Sequence, residues 1–95
     1  MEIYLSVHIK SKPEHQENVK AILQNLVVQT LKEDGCIRYD LHQGIDDEST
    51  FVFYEIWKDQ KALDFHNQTS YIKALGNSLE NKLVSEAVLV KTTKL

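Results

Sequence analysis

Apolar residues recur along this chain with two different periods. Ile3, Leu5, Val7 and Ile9 alternate with Tyr4, Ser6, His8 and Lys10, which predicts a strand. Ser11-Lys12-Pro13 ends it, and Pro presets the first turn of a helix with Ser11 or Lys12 near its N-cap. Val19, Ile22, Leu23, Leu26, Val27 and Leu31 then follow at helical spacing, predicting a helix over about 14–33 that Gly35 stops as a C-cap residue. Cys36 to Gln43 alternates again, with Ile37, Tyr39 and Leu41 against Arg38, Asp40 and His42. After the acidic turn GIDDES, Thr50 to Trp57 reads as a third strand, so the second and third strands predict an antiparallel hairpin. Asp59 suits the N-cap of a short helix over 60–68. A break at Thr69-Ser70 precedes a stripe of Ile72, Leu75, Leu79 and Leu83, and 86–91 predicts a last strand.

The order β-α-β-β-α-β is the ferredoxin-like pattern, an α+β fold. Residues 1–95 are expected to form one domain. The third strand is apolar on both faces. Phe51, Phe53 and Trp57 share one face with Glu55, and Val52, Tyr54 and Ile56 share the other. Two helices cover only one face of a four-stranded sheet. The chain has no spare element for the other, so a homodimer with its sheets face to face is expected.

Composition narrows the partners. The chain is 42% hydrophobic and 26% charged, an ordinary globular balance, with a formal charge of -3. That charge speaks against nucleic acid and anionic membrane. Cys36 is the single cysteine, so no internal disulfide forms. No leader pattern opens the chain, and no apolar run approaches the roughly 20 residues of a membrane span. A cytoplasmic location is expected. Gly35, Gly44 and Gly76 are isolated, no phosphate-binding loop is present, and no Cys/His cluster has zinc spacing.

Several motifs resemble one known family. Gly35-Cys36-Ile37-Arg38-Tyr39 at the entry to the second strand, Glu55-x-Trp57 at the end of the third, and Ala62-Leu63-x-x-His66 in the following helix are similar to the antibiotic biosynthesis monooxygenase family. The match is strongest with its small, quinol-monooxygenase-like bacterial members. Lys12-Pro13-Glu14 fits as well, so the resemblance spans nearly the whole chain. It implies a dimeric α+β barrel with a pocket in each subunit between helices and sheet. It also implies oxygenation of a small quinol or other activated aromatic by dioxygen, without metal, flavin or haem. Relatives degrade haem, others isomerise a phosphorylated sugar, and several have no known reaction.

Oxygenation without a cofactor requires a base that turns an electron-rich substrate into an anion in a dry pocket. His66 is the candidate base or proton shuttle, and Glu55 the carboxylate that orients it; both are the catalytic candidates. The structural alternatives are a helix-flank histidine and an anchor tying strand to helix. A buried Glu55 requires a partner, which His66, Arg38 or backbone N–H groups would supply. Trp57 at a pocket mouth and Phe53 would form an aromatic wall, with core packing as the alternative. Tyr39, Tyr71 and His8 complete the substrate-binding candidates, and His42 carries less weight still. Cys36 reads as a small buried residue. Two further functions stay open: a non-catalytic small-molecule-binding or stress-response dimer, and a haem-binding or haem-degrading protein. A sugar-phosphate isomerase would want a cationic site, and Arg38 is the chain's one arginine.

Overall fold

The computed structural model describes all 95 residues. Strands β1 (Ile3–Lys10), β2 (Cys36–Gln43), β3 (Thr50–Trp57) and β4 (Val88–Thr92) form one antiparallel sheet in the order β2-β3-β1-β4. Helices α1 (Gln16–Thr30), α2 (Gln60–Asn67) and α3 (Ser70–Leu79) cover one face, giving the ferredoxin-like α+β fold. No helix is long and apolar enough to cross a membrane.

The period-two pattern sets the inner face. Ile3, Leu5, Val7 and Ile9 of β1 are buried, and they pair with Trp57, Glu55, Phe53 and Phe51 of β3. From α1, Val19, Leu23, Leu26 and Thr30 close over them, one every three or four residues. Phe51 and Phe53 are almost wholly removed from water, worth about 1.5–3 kcal/mol each.

Element ends differ from the sequence expectation for identifiable reasons. A 3₁₀ turn at Pro13–His15 precedes α1, and no side chain caps either start. Ser11 is instead buried, its N–H donating to the Ser49 carbonyl at 2.9 Å and its backbone bridging to Leu83. α3 stops at Leu79, the chain turns through Asn81 with a positive φ, and Leu83 lies beyond it in the bridge to Ser11. α1 ends at Thr30, before Glu33 and Gly35, which leaves Leu31 exposed. β4 lies at the sheet edge with all five residues exposed.

Gly35 does not cap a helix and has no positive φ. Its role is close approach. A Cβ there would lie 2.3 Å from the Cβ of Ala62 in α2, while the Gly35 carbonyl accepts the Lys58 N–H at 3.0 Å. The missing side chain lets α2 sit directly on the turn after α1. Gly35→Ala is therefore expected to destabilise the fold by about 1–3 kcal/mol, because two rigid Cβ groups must separate. Urea unfolding measures this, and a change within about 0.5 kcal/mol would show that α2 is not seated by that contact.

Candidate functional site

Two helix starts and one turn build the site. In α2, the Asp59 carboxylate accepts the Ala62 N–H at 2.8 Å, an N-cap that fixes the helix phase and turns Leu63 and His66 inward. Thr69 makes the next corner. Its hydroxyl donates to the His66 carbonyl at 2.7 Å and accepts the Ile72 N–H, so α3 starts at once and Tyr71 follows beside His66. The turn after α1 is held by the Glu33 N–H donating to the Thr30 carbonyl at 3.0 Å, and it brings Glu33 to the same place.

His66 meets a different carboxylate from the one expected. Its Nδ1 lies 2.8 Å from Glu33 Oε2, with the two side chains only 4% and 6% exposed. The Tyr71 hydroxyl donates to that same Glu33 oxygen. Glu55 makes no bond to His66 or Arg38; its Oε1 accepts the Trp57 indole N–H at 2.9 Å. Residues two apart on a strand share a face, so the indole reaches back along β3 to its own neighbour. Trp57 is fully buried and stands at no pocket mouth, since α2 covers the end of β3. Its ring packs on the His66 ring at 4.4 Å between centroids.

A cavity of about 200 Å³ lies between the helices and the sheet. Apolar side chains from β1, α1, α3 and β4, with Phe53 of β3, line most of it. Tyr39, Glu55, His66 and Asn67 add polar groups, and Tyr39 stands opposite Glu55 across the β2–β3 ladder. Burial dominates the electrostatics here. It pushes the Glu55 carboxyl up to about 7, against the pull of the Trp57 N–H and with a smaller push from the Glu33 charge. Burial, then the Glu55 charge, drives the Tyr39 phenol far above its ordinary value. Tyr71 is raised to about 12 by burial and by its bond to Glu33. The Cys36 thiol is raised to about 11, chiefly by burial, so it is a poor nucleophile.

The remaining candidates are dispersed. Tyr71 does not line the cavity; it lies in a groove with Ile22, Leu26 and Leu75. His8 sits on the opposite face of the sheet, exposed, between Val52 and Val88. That placement follows from the alternation that buries Val7 and Ile9. His42 is on that outer face too, its ring against Tyr54 at 5.0 Å. Arg38 is exposed beside Asp40. Glu33 is the residue that sequence reasoning passed over. No local pattern marks it, because its partners are 33 and 38 residues away. No group of three or more His, Cys, Asp or Glu side chains comes together to hold a metal ion.

Known proteins resemble this chain in both sequence and structure. Residues 3–77 match the model of the family described as antibiotic biosynthesis monooxygenase. A Bacillus subtilis protein named "Putative monooxygenase YcnE" is 41% identical over 71 residues, 75% of each chain. An Escherichia coli isomerase of (4S)-4-hydroxy-5-phosphonooxypentane-2,3-dione is 35% identical over 52 residues, 55% of this chain and 54% of its own length. Among solved structures, a Pseudomonas aeruginosa protein superposes with a TM-score of 0.93 at 30% identity, covering 99% of this chain and 94% of that one. A structure titled as an antibiotic biosynthesis monooxygenase gives 0.92 at 28% identity, with 98% of each chain covered. On its sequence and its fold alike, the chain belongs to the antibiotic biosynthesis monooxygenase family.

Proposed function

We propose that this protein is a cofactor-independent monooxygenase that acts on a small quinol or similar activated aromatic in the cavity between helices and sheet. The observation that carries this reading is the convergence of Tyr39, Glu55 and His66, with Asn67, on a cavity whose other walls are apolar. Apolar walls with a few convergent polar groups are the usual form of a small-molecule site. A volume near 200 Å³ is below the ~300–1,000 Å³ of drug-sized sites, so it favours a molecule of one or two rings over a macrocycle such as haem.

In this mechanism His66 takes the proton of a quinol hydroxyl. The resulting anion passes an electron to dioxygen, and the two radicals combine. The O–O bond then breaks. One oxygen stays on the ring as a hydroxyquinone, and the other leaves as water, carrying the proton His66 returns and the hydrogen lost from the ring carbon that gained oxygen. The Tyr39 phenol stays protonated and can donate to a substrate oxygen. Glu55, titrating near neutrality, can serve as donor or acceptor. The isomerase relative supports a second reading, a phosphorylated dione as substrate. No lysine or arginine lines the cavity, which favours an uncharged aromatic.

We also propose a homodimer. The outer face of the sheet presents Val52, Tyr54 and Ile56 of β3 and, across Tyr4, Ser6 and His8 of β1, Val88 and Val90 of β4, with no helix over them. A second copy of the same face covers this row with like against like.

Three measurements test these proposals. Dioxygen uptake by metal-free protein over a panel of quinols is expected to exceed autoxidation and to fall about 10²-fold or more in His66→Ala. Full activity in a folded His66→Ala protein would remove His66 as the base. Light scattering is expected to give twice the 11.0 kDa chain mass, reduced to one chain by Tyr54→Arg; a wild-type monomer at micromolar concentration would overturn the dimer. The third concerns Glu55. Its folded value near 7 lies above the ordinary 4.5, so the folded state holds the proton more tightly. The associated stability is full below about 4.5 and is lost as pH rises through about 7, on the order of 3 kcal/mol. Glu55→Gln, which cannot ionise, is expected to lose less stability than wild type between pH 5 and 8 on the same scale. Equal pH slopes would show that Glu55 is ionised throughout.

A further inference from the structure

The His66 ring is a partition. One edge lines the cavity, whereas its partners do not: Glu33 lines a separate surface cleft with Lys32, Asp34, Gly35, Ala62 and Phe65, and Tyr71 lies in the groove beside α1. Nδ1 faces Glu33 Oε2 at 2.8 Å, and the Tyr71 hydroxyl gives that oxygen a second donor. The other oxygen, Oε1, is sealed from solvent without a partner. The carboxylate therefore commits its hydrogen bonding to the one oxygen that faces the imidazole. On the far side of the ring, Nε2 makes no hydrogen bond within the chain and is not among the sealed polar atoms.

These positions determine where a proton can reside. An ionised carboxylate only accepts, so the neutral imidazole opposite it must carry its hydrogen on Nδ1. Nε2 is then left with a free lone pair on the cavity side. A buried carboxylate that bonds the non-reacting ring nitrogen both fixes the ring and pairs with the imidazolium that forms. We propose that Glu33 and Tyr71 are positioning residues for His66: they hold it as the Nδ1–H tautomer with Nε2 toward the cavity, and they keep the proton it takes as an imidazolium paired with Glu33. Glu55 is then free to act on the substrate.

The step balances within the reaction proposed above, on which this inference rests. The substrate O–H bond breaks and Nε2–H forms. Nε2–H later breaks as the second oxygen leaves in water, and Nδ1–H stays intact throughout. The ionisable groups facing the ring are Glu33 from the turn after α1, Tyr39 from β2, Glu55 from β3 across the Trp57 indole, and Tyr71 from α3.

Long-range nitrogen-15 spectra of histidine-labelled protein at pH 8 read the tautomer directly and need no substrate. In wild type, His66 is expected to show a protonated Nδ1 and an unprotonated Nε2. In Glu33→Ala the Nε2–H form is expected to reach at least half the population. Wild-type protein with the hydrogen on Nε2 would overturn the proposal even if the variant failed to fold, and so would an unchanged tautomer in a folded Glu33→Ala. Where uptake is found, Glu33→Ala is expected to lower kcat about 10²-fold with KM little changed. A loss confined to KM would also overturn it. A quinol panel without uptake, beside the expected tautomer, would reject the oxygenase reading and leave the Glu33–His66 arrangement standing.

Discussion

A carboxylate taken out of water must find donors, and this chain buries two of them in one small region. Glu33 finds His66 and Tyr71; Glu55 finds the Trp57 indole. Each pairing constrains a different layer. The Glu55–Trp57 bond lies within β3 and ties the sheet's only tryptophan to the inner face. The Glu33 bonds cross from the turn after α1 to α2 and α3, so they lock the short helices over the cavity. Removing His66 and Tyr71 would leave the Glu33 carboxylate without its donors, and removing the Trp57 N–H would push the Glu55 carboxyl further toward its neutral form.

Small residues and caps make these bonds reachable. Gly35 allows α2 to contact the turn that carries Glu33. Asp59 sets the phase of α2 so that His66 points inward, and Thr69 ends it so that Tyr71 arrives one turn later. None of these three residues lines the cavity, yet together they set its polar wall. The opposite wall is ordinary hydrophobic packing from β1, α1 and α3, which keeps the interior dry and raises the Glu55 carboxyl toward neutrality.

Much of this was legible in the sequence. Period-two and helical stripes mark all four strands and three helical segments, because every element but the exposed edge strand β4 buries one face and the pattern records it. Asp59 was recognisable as a cap from residue type alone, and Thr69-Ser70 as a break between helices. What stayed hidden depended on contacts distant in sequence. Lys32-Glu33-Asp34 reads as a solvated charge run, and only the fold shows that the middle side chain turns inward while its neighbours are exposed. Glu55 was the natural guess for the His66 partner because it sits in a strand among core residues; the nearer indole takes it instead. His8 could have been excluded, since alternation already set it opposite Val7 and Ile9.

The central claim is that ligands enter the inner cavity. The outer face of the sheet offers a competing hollow of about 490 Å³, lined by Arg38, Asp40, His42 and Tyr54 among others. Titrating an unreactive phenol into labelled protein and following the chemical shifts would separate the two. The account predicts that the largest shifts fall on Tyr39, Phe53, Glu55, His66 and Leu89 around the inner cavity. Shifts concentrated on Arg38, His42 and Tyr54, with the His66 ring unmoved, would contradict it.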